Sequence, residues 1–170
     1  MQQKKICMLG AFAVGKTSLV RRYVDSIFSD AYLTTVGVKI DKRTVTVGDQ
    51  ALNLILWDIA GEDDVAAVRM SYLRGASGYL LVADGTRAAT LDVARSIQGR
   101  AESEIGSVPF TVIVNKLDLR DEWTITDDEL HQLERAGWTV TLSSARTGEG
   151  VEAAFRELAQ RMLHPSPAAC

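Results

Sequence analysis

The sequence has little of what would cross-link the chain, insert it into a membrane or attach it to nucleic acid. It contains only two cysteines, Cys7 in an apolar segment and Cys170 at the end, so no disulfide framework is expected and a reducing, cytosolic location is favoured. No apolar run reaches the ~18 residues that span a bilayer, and residues 1–5 carry no signal-peptide pattern. The net charge of −3, without a basic stripe, argues against nucleic acid as a partner.

What is present is the composition of an ordinary globular domain. Hydrophobic residues make up 46% and charged residues 24% of the 170 residues, and a chain of this length can form one domain with a full core. We see no internal repeat, long linker or low-complexity segment. The sequence therefore predicts one domain over residues 1–164, followed by a short irregular tail over residues 165–170.

Short apolar runs alternate with helical patterns along the chain. A turn at residues 48–50 would pair two strands antiparallel, while strands joined by helices would run parallel. The predicted fold class is α/β, with a central, mostly parallel six-stranded sheet, one antiparallel strand, helices on both faces and ligands at the carboxyl ends of the strands. Thr126 and Glu129 fit a capping box, and Gly137 fits a helix stop. Strands are predicted at residues 4–9, 36–47, 51–57, 78–83, 110–114 and 138–142, and helices at 17–24, 62–74, 90–105, 127–136 and 151–163.

A glycine-rich loop lies between the first predicted strand and the first predicted helix. Residues 10–17 read GAFAVGKT and match G-x-x-x-x-G-K-[ST], whose backbone N–H groups and following helix N-terminus attract phosphate. Lys16 would lie beside the β- and γ-phosphates and Thr17 would ligate Mg²⁺. A turn without a ligand is the alternative, and the large Phe12 side chain is unexpected in such a loop. The residues expected to contact the nucleotide here are Ala13, Val14, Gly15, Lys16, Thr17 and Ser18.

A second motif, D-x-x-G, follows the third predicted strand at residues 58–61. An aspartate at a strand end can hold Mg²⁺ through a water molecule, so Asp58 is a candidate for that role. Gly61 could offer its N–H to a γ-phosphate, and Thr35, further upstream, is the candidate for a second hydroxyl ligand of Mg²⁺. The alternative for this motif is an ordinary helix cap after a strand, which is compatible with the first interpretation.

A third motif, N-K-x-D, occupies residues 115–118 after the fifth predicted strand. Guanine presents two parallel donors, N1–H and the N2 amine, and the carboxylate of Asp118 can accept both. Adenine lacks that pair and would leave Asp118 buried without donors, so the motif favours GTP over ATP. The alternatives are a polar loop without a ligand and, for the protein as a whole, an ATPase. After the last strand, the N–H of Ala145 could reach guanine O6.

Read in order, these motifs resemble the guanine-nucleotide signature of the Ras superfamily of small GTPases, and the resemblance extends over residues 4–163. Within the superfamily the chain is most similar to the Rab and Ras-like branch, prokaryotic Ras-like GTPases included. Residues 35–38 (TVGV), 57–61 (WDIAG) and 72–76 (YLRGA) resemble the Rab strings T-I-G-V, W-D-T-A-G and Y-Y-R-G-A. The resemblance implies the G domain of a P-loop NTPase that binds GTP or GDP together with Mg²⁺.

The resemblance also implies roles for individual residues. Thr17 and Thr35 would ligate Mg²⁺, and Asp58 would hold the ion through water. Two segments, residues 27–37 and 59–72, would be the switches that the γ-phosphate orders and hydrolysis loosens. The catalytic residues implied are Lys16, Thr35, Gly61 and Glu62. The residues implied to contact the base or support its loop are Phe28, Asn115, Lys116, Asp118, Ser144, Ala145 and Arg146.

The departures from the family pattern concentrate on hydrolysis. Glu62 stands where most relatives have the glutamine that orients the attacking water, and an ionised glutamate can only accept hydrogen bonds. Phe12 replaces a small residue where a partner's arginine finger would enter, a contribution that the Ras example puts at ~10³–10⁵ in rate. Neutral drift explains both residues as well as an adaptive loss of hydrolysis does. Ile59 replaces the usual threonine, and Cys170 lacks the surrounding motif of a prenylation site, so a lipid anchor is not expected.

Two functions remain open at this stage. The first is a GTP/GDP switch that hydrolyses GTP slowly and recruits an effector through both switches, regulated by an exchange factor and a GTPase-activating protein. The second is a binding module that has lost hydrolysis and stays GTP-bound. The expected location is the cytoplasm, or a membrane periphery reached through a partner. Partner contacts are expected at residues 36–40 and at Val65, Met70 and Leu73, although burial under the second switch explains the last three residues equally well.

Overall fold

The computed structural model of the chain describes residues 1–25, 37–59 and 70–164. Six strands form one sheet in the order β2-β3-β1-β4-β5-β6. Two short 3₁₀ helices also lie in these residues, at Met70–Leu73 and Leu117–Glu122. The strands are β1 (Gln2–Gly10), β2 (Val38–Val47), β3 (Gln50–Ile59), β4 (Gly78–Asp84), β5 (Phe110–Asn115) and β6 (Val140–Leu142). The α-helices are α1 (Lys16–Asp25), α2 (Ala89–Ile105), α3 (Asp127–Arg135) and α4 (Val151–Leu163).

Five of the six strands run parallel, and β2 alone is antiparallel to its neighbour β3. The β2–β3 register ends with Val47 opposite Gln50, so a two-residue turn joins the strands. Gly48 in this turn has φ of +60°, the left-handed value that two-residue hairpin turns require. The sheet therefore has the predicted topology, with one antiparallel strand at the edge of an otherwise parallel sheet.

The central strands are buried on both faces because helices cover each side of the sheet. In β1, Ile6 and Met8 point to one face and Cys7 and Leu9 to the other, and all four are almost fully buried. Residues of α1 and α4 pack on the first face, and residues of α2 and α3 pack on the second. Burial raises the pKa of the Cys7 thiol to about 11, so this cysteine is an inert part of the core.

Helix α3 begins and ends as its sequence predicts. The Thr126 hydroxyl accepts from the backbone N–H of Glu129 at 3.2 Å, and the Glu129 carboxylate accepts from the N–H of Thr126 at 2.8 Å. The helix ends before Gly137, whose φ of +89° lies in the region that glycine tolerates. Both cap predictions are confirmed.

Most predicted bounds lie within two residues of those in the structure, and three of the differences concern the loops around the site or the helix exits. The last strand was expected from residue 138, but the N–H of Trp138 donates to Leu133 O at the end of α3, and the strand starts at Val140. Within the expected helix at residues 62–74, the described part forms only the 3₁₀ helix Met70–Leu73. The second strand starts at Val38, after a bend at residue 37. Residues 26–36, 60–69 and the expected tail at 165–170 lie outside the described residues.

The parallel strands bring several distant polar residues to one edge of the sheet. β1 ends at Gly10, β3 at Ile59 just after Asp58, β4 at Asp84 and β5 at Asn115. Because parallel strands end at the same edge, the loops that follow them can line one site. No helix in the described segments is long and apolar enough to cross a membrane.

Candidate functional site

The loop between β1 and α1 approaches other backbone and side-chain atoms too closely for larger residues. A Cβ atom on Gly10 would lie 2.4 Å from the carbonyl oxygen of Val82, and one on Gly15 would lie 2.3 Å from Asn115 Nδ2. Both glycines also have positive φ, at +151° and +102°. The two glycines of the motif are therefore required by the packing and by the backbone conformation.

Ala13 has φ of +60°, which an L-residue other than glycine rarely adopts. Strained backbone of this kind persists where the surrounding structure fixes it, and it is concentrated at functional sites. The sequence offered no signal for this residue, because the motif accepts any residue at its position.

Lys16, at the start of α1, is buried inside the loop. Its Nζ donates to the carbonyl oxygens of Gly10 at 3.1 Å and Ala11 at 3.0 Å. Burial lowers its pKa to about 8, although the nearby Asp58 carboxylate favours the charged form. An anion held by the loop, as the motif predicts, would favour the charged form of Lys16 and raise its pKa again.

Thr17 and Asp58 meet although they are 41 residues apart in the chain. The Thr17 hydroxyl donates to Asp58 Oδ2 at 2.6 Å, and Asp58 is almost fully buried at the end of β3. A hydroxyl and a carboxylate are hard oxygen ligands of the kind that Mg²⁺ prefers, so these two residues fit the predicted ion. The third expected ligand, Thr35, lies outside the described residues.

Asn115 joins the phosphate loop to the loop that follows β6. Its Nδ2 donates to Val14 O at 3.0 Å, and its Oδ1 accepts from the N–H of Ala145 at 3.2 Å and from the Ser143 hydroxyl at 3.3 Å. Asn115 is almost fully buried, so these bonds fix the two loops relative to each other. In the structure the Ala145 N–H, expected to reach guanine O6, is directed at Asn115.

The remaining residues of the third motif lie around Asp118. The Ser144 hydroxyl donates to Asp118 Oδ1 at 2.7 Å, which orients the carboxylate expected to recognise the base. Asp118 is exposed here rather than buried. Lys116 adopts a left-handed conformation with φ of +72°, and its carbonyl oxygen accepts from Trp123 Nε1 at 2.8 Å.

Sequence reasoning missed Asp84 and Arg22, which also hold these loops. Asp84 is fully buried at the end of β4, and its Oδ2 lies 2.7 Å from Lys116 Nζ. Arg22 Nε, in α1, donates to Ala145 O at 2.8 Å, and its Nη2 contacts Arg146 O. Asp84 carried a usable signal, a carboxylate ending an apolar strand as Asp58 does, whereas nothing local marked Arg22.

The structure describes only part of the proposed switches. Phe28, Gly61, Glu62 and Val65, like Thr35, lie outside the described residues. Among the expected partner contacts, Leu73 is fully buried in the core, so its side chain is not exposed to a partner; residues 60–69 of the second switch, under which it was expected to lie, are outside the described residues. Ile40, by contrast, has 52% of its surface exposed on the edge strand β2.

Phe12 and Ser18 complete the phosphate loop and its helix. Phe12 has 39% of its surface exposed. Ser18 is partly buried in the first turn of α1. All residues of the loop that sequence reasoning named are therefore brought together by the fold.

The parallel sheet, the glycine-dependent loop around Lys16 and the Thr17–Asp58 pair define a nucleotide-binding domain of the P-loop class. The family model described as "Ras family" matches residues 5–164. The chain is 31% identical over 161 residues to Ras-related protein Rab-1 of Theileria annulata, covering 93% of this chain and 73% of that protein. It is 32% identical over 165 residues to Rab-21 of Geodia cydonium (96% and 72% covered) and 31% over 172 residues to Rab-7L1 of Homo sapiens (95% and 83%).

The chain belongs to the Ras family of small GTPases, in its Rab and Ras-like branch. Membership supports a role as a small GTP-binding switch and GTPase activity in general. Proteins of this family bind GTP or GDP, typically with Mg²⁺, and work with effectors, exchange factors and GTPase-activating proteins. The predicted family and fold class are thereby confirmed.

Proposed function

We propose that this protein is a GTP/GDP switch that binds Mg²⁺, hydrolyses GTP slowly and recruits an effector through its two switches. The observation that carries the proposal is the joining of two loops, one for phosphate and one for the base, through Asn115. This arrangement supports simultaneous recognition of both ends of a guanine nucleotide. Residues 1–164 would form the domain that performs this function.

The residues of the phosphate loop would hold and polarise the γ-phosphoryl group. Lys16 would donate to the β- and γ-phosphate oxygens, and the loop N–H groups from Ala13 to Ser18 would surround them. Thr17, Thr35 and, through water, Asp58 would hold Mg²⁺, which when bound neutralises charge on the phosphate oxygens. Gly61 would donate its N–H to the γ-phosphate.

The base would be recognised by the third motif and the loop after β6. Asp118, oriented by Ser144, would accept from guanine N1–H and N2, and Ala145 would donate to O6. Phe28 and the aliphatic part of Lys116 would lie on the two faces of the ring, while Arg146 would border the site. Guanine rather than adenine matches this set of donors and acceptors, which opposes the ATPase alternative.

The slow rate is inferred from Phe12 and Glu62. Glu62 would position the attacking water as an acceptor, but its charge would approach an anionic γ-phosphate. The Phe12 ring, which is partly exposed, would stand where a partner's arginine enters in relatives with a small residue at this position. Both residues would act on the same chemical step, so turnover would be slow.

Single-turnover phosphate release from purified, GTP-loaded protein tests this function. We expect Mg²⁺-dependent release that is slow in the native protein and faster in Glu62→Gln, because glutamine can both accept from water and donate to the developing charge. Asp63→Asn is the control, because it removes one negative charge at the neighbouring position and leaves Glu62 in place. Absence of Mg²⁺-dependent cleavage in both the native protein and Glu62→Gln would rule out the hydrolytic version.

The alternative is a GTP-bound binding module without hydrolysis, favoured by the coincidence of Phe12 and Glu62. Chromatography of the nucleotide extracted from freshly purified protein separates the two proposals. Mostly GDP supports the hydrolysing switch, and mostly GTP supports the binding module.

Effector binding would use residues 36–40 and the second switch. The exposed Ile40 side chain on an edge strand supports an apolar contact there. An exchange factor and a GTPase-activating protein would act on the same switches, in the cytoplasm or at a membrane reached through a partner.

A further inference from the structure

Arg87 lies in the connection between β4 and α2 and contacts the phosphate loop. Its Nη2 donates to the carbonyl oxygen of Phe12 at 2.8 Å, across 75 residues of sequence. Its Nε donates at 3.0 Å to Oδ2 of Asp84, the buried carboxylate at the end of β4. One guanidinium group therefore bridges the phosphate loop and the core of the sheet.

Asp84 extends this bridge to the loop that would bind the base. The Oδ2 atom that accepts from Arg87 also lies 2.7 Å from Nζ of Lys116, in the third motif. Thr86 donates to Oδ1 through its backbone N–H at 2.9 Å and its hydroxyl at 2.7 Å. Burial alone would raise the pKa of Asp84, but the bonds from Lys116, Thr86 and Arg87 prevail and lower it, so the carboxylate is ionised.

The base side of the bridge is held by close packing. A Cβ atom on Gly85 would lie 2.1 Å from the ring of Trp123, and Trp123 Nε1 donates to the carbonyl oxygen of Lys116. The N–H of Gly85 donates to Asn115 O at 3.1 Å. Because Asp84, Gly85 and Lys116 are fixed in this way, Arg87 contacts the phosphate loop from a rigid support.

The Arg87 bond also orients the peptide that enters Ala13. A trans peptide is planar, and its carbonyl and N–H groups point in opposite directions. With the Phe12 carbonyl turned toward Arg87, the Ala13 N–H points away from Arg87. This is the same peptide that leads into the strained φ of +60° at Ala13, so an external bond is available to maintain that conformation.

We propose that Arg87 is a positioning residue that couples the phosphate loop to the base-binding loop through Asp84 and Lys116 and thereby slows nucleotide release. The proposal rests on guanine-nucleotide binding, as proposed above. Arg87 acts through the Phe12–Ala13 peptide and through Asp84, and no contact with the nucleotide is required of it. Its loss would free the peptide and leave Lys116 as the remaining cation on the Asp84 carboxylate.

The test measures the release of a fluorescent GDP analogue from full-length protein with Mg²⁺ and excess unlabelled GDP. We expect Arg87→Ala to release GDP about tenfold faster, the factor that the loss of one charge-assisted hydrogen bond produces. Arg87→Lys keeps the charge, but its single ammonium group cannot bond both acceptors as the guanidinium does. Its rate of GDP release should therefore lie between those of the native protein and Arg87→Ala. Arg95→Ala is the matched control, because Arg95 also pairs with an aspartate three residues away, Asp92 at 3.1 Å, in α2.

A second readout separates positioning from general loss of structure. The ³¹P chemical shift of the β-phosphate of bound GDP should move in Arg87→Ala and stay unchanged in Arg95→Ala. Faster release with an unchanged β-phosphate shift and a lower melting temperature would mean a purely structural role and overturn the proposal. If Arg87→Ala does not fold, Arg87→Lys decides, since native rates and an unmoved shift in that variant also overturn it.

The outcome for the native protein distinguishes this proposal from the function on which it rests. A native protein that fails to retain GDP contradicts guanine-nucleotide binding itself. Tight retention by the native protein, with equal release rates in Arg87→Ala and Arg95→Ala, contradicts the role of Arg87 alone.

Discussion

Ala13 carries the least favourable backbone conformation among the described residues of the phosphate loop. A left-handed conformation costs an L-residue about 1–2 kcal/mol, whereas glycine adopts it freely but loses more entropy on folding. The fold of the loop, with its bonds from Lys16, Arg87 and Asn115, holds Ala13 in place against this cost. The strain is therefore a property of the site that could not be predicted from the motif.

Replacing Ala13 by glycine should stabilise the protein. We expect Ala13→Gly to raise the free energy of unfolding by up to about 1 kcal/mol, because relief of strain exceeds the entropic cost of glycine. Urea denaturation at fixed nucleotide concentration measures the difference. Ala153→Gly, at an exposed position in α4, should destabilise by about 0.5–1 kcal/mol, and a similar loss in Ala13→Gly would contradict the argument.

Asp84 should make the stability depend on pH in the acid range. Its folded pKa lies below the ordinary 3.8, so its contribution is present above that pH and is lost as the pH falls through the folded pKa. We expect Asp84→Asn to be about 1–3 kcal/mol less stable than the native protein at pH 6, with the gap narrowing below pH 4. Urea unfolding between pH 6 and 3 measures both.

The control for Asp84 is Asp92→Asn, in the exposed Arg95–Asp92 pair, where the side chain of Asp92 is 76% exposed. An exposed pair contributes little, so this variant should differ from the native protein only slightly at every pH. A gap for Asp84→Asn that stays constant down to pH 3 would show that its carboxylate is not the group that titrates.

At the scale of secondary structure, elements set by local chemistry could be predicted from the sequence. The capping box of α3 and the stop at Gly137 need only neighbouring residues, and both were predicted. The start of β6 could not be predicted, because Trp138 is a residue type that is common in strands, whereas its N–H donates to Leu133 O at the end of α3. The burial of Leu73 depends on the packing of its 3₁₀ helix against α2 and the core on that face, which periodicity alone does not reveal.

The cap of α3 provides a test at this scale. Thr126→Ala removes the hydroxyl that accepts from Glu129 N–H and should lower the free energy of unfolding by about 1 kcal/mol. Thr126→Ser retains the hydroxyl and should be close to the native protein. Thermal or urea unfolding compares the two, and equal losses in both variants would mean that the methyl group, rather than the cap, matters.

For the whole molecule, the order of the strands explains why the site could be anticipated from separate motifs. Each motif follows a strand, and parallel strands end at one edge, so Lys16, Asp58 and Asn115 had to converge. The side chains that connect the loops were less predictable. Arg22 and Arg87 are surface-type residues whose direction is decided by packing, and only the structure shows that they bond loop carbonyls.

Because the site joins loops from both halves of the sheet, a bound nucleotide should stabilise the whole domain. A ligand that binds only the folded state adds RT ln(1 + [L]/Kd), about 4 kcal/mol at a thousandfold excess over Kd. We expect the free energy of unfolding to rise linearly with the logarithm of the GDP concentration when Mg²⁺ is present. When Mg²⁺ is chelated, the stabilisation at each GDP concentration should be smaller. Urea unfolding at several GDP concentrations measures this dependence.

ATP and Asp118 supply the controls for this linkage. ATP at the same concentrations should leave the unfolding midpoint unchanged, because adenine cannot offer two donors to Asp118. Asp118→Ala should lose most of the stabilisation by GDP, and the nucleotide-free variant serves as its own reference because the variant also removes the acceptor of the Ser144 hydroxyl. Equal stabilisation by ATP and GDP would mean that the protein recognises only the phosphates, and it would contradict the proposed specificity for guanine.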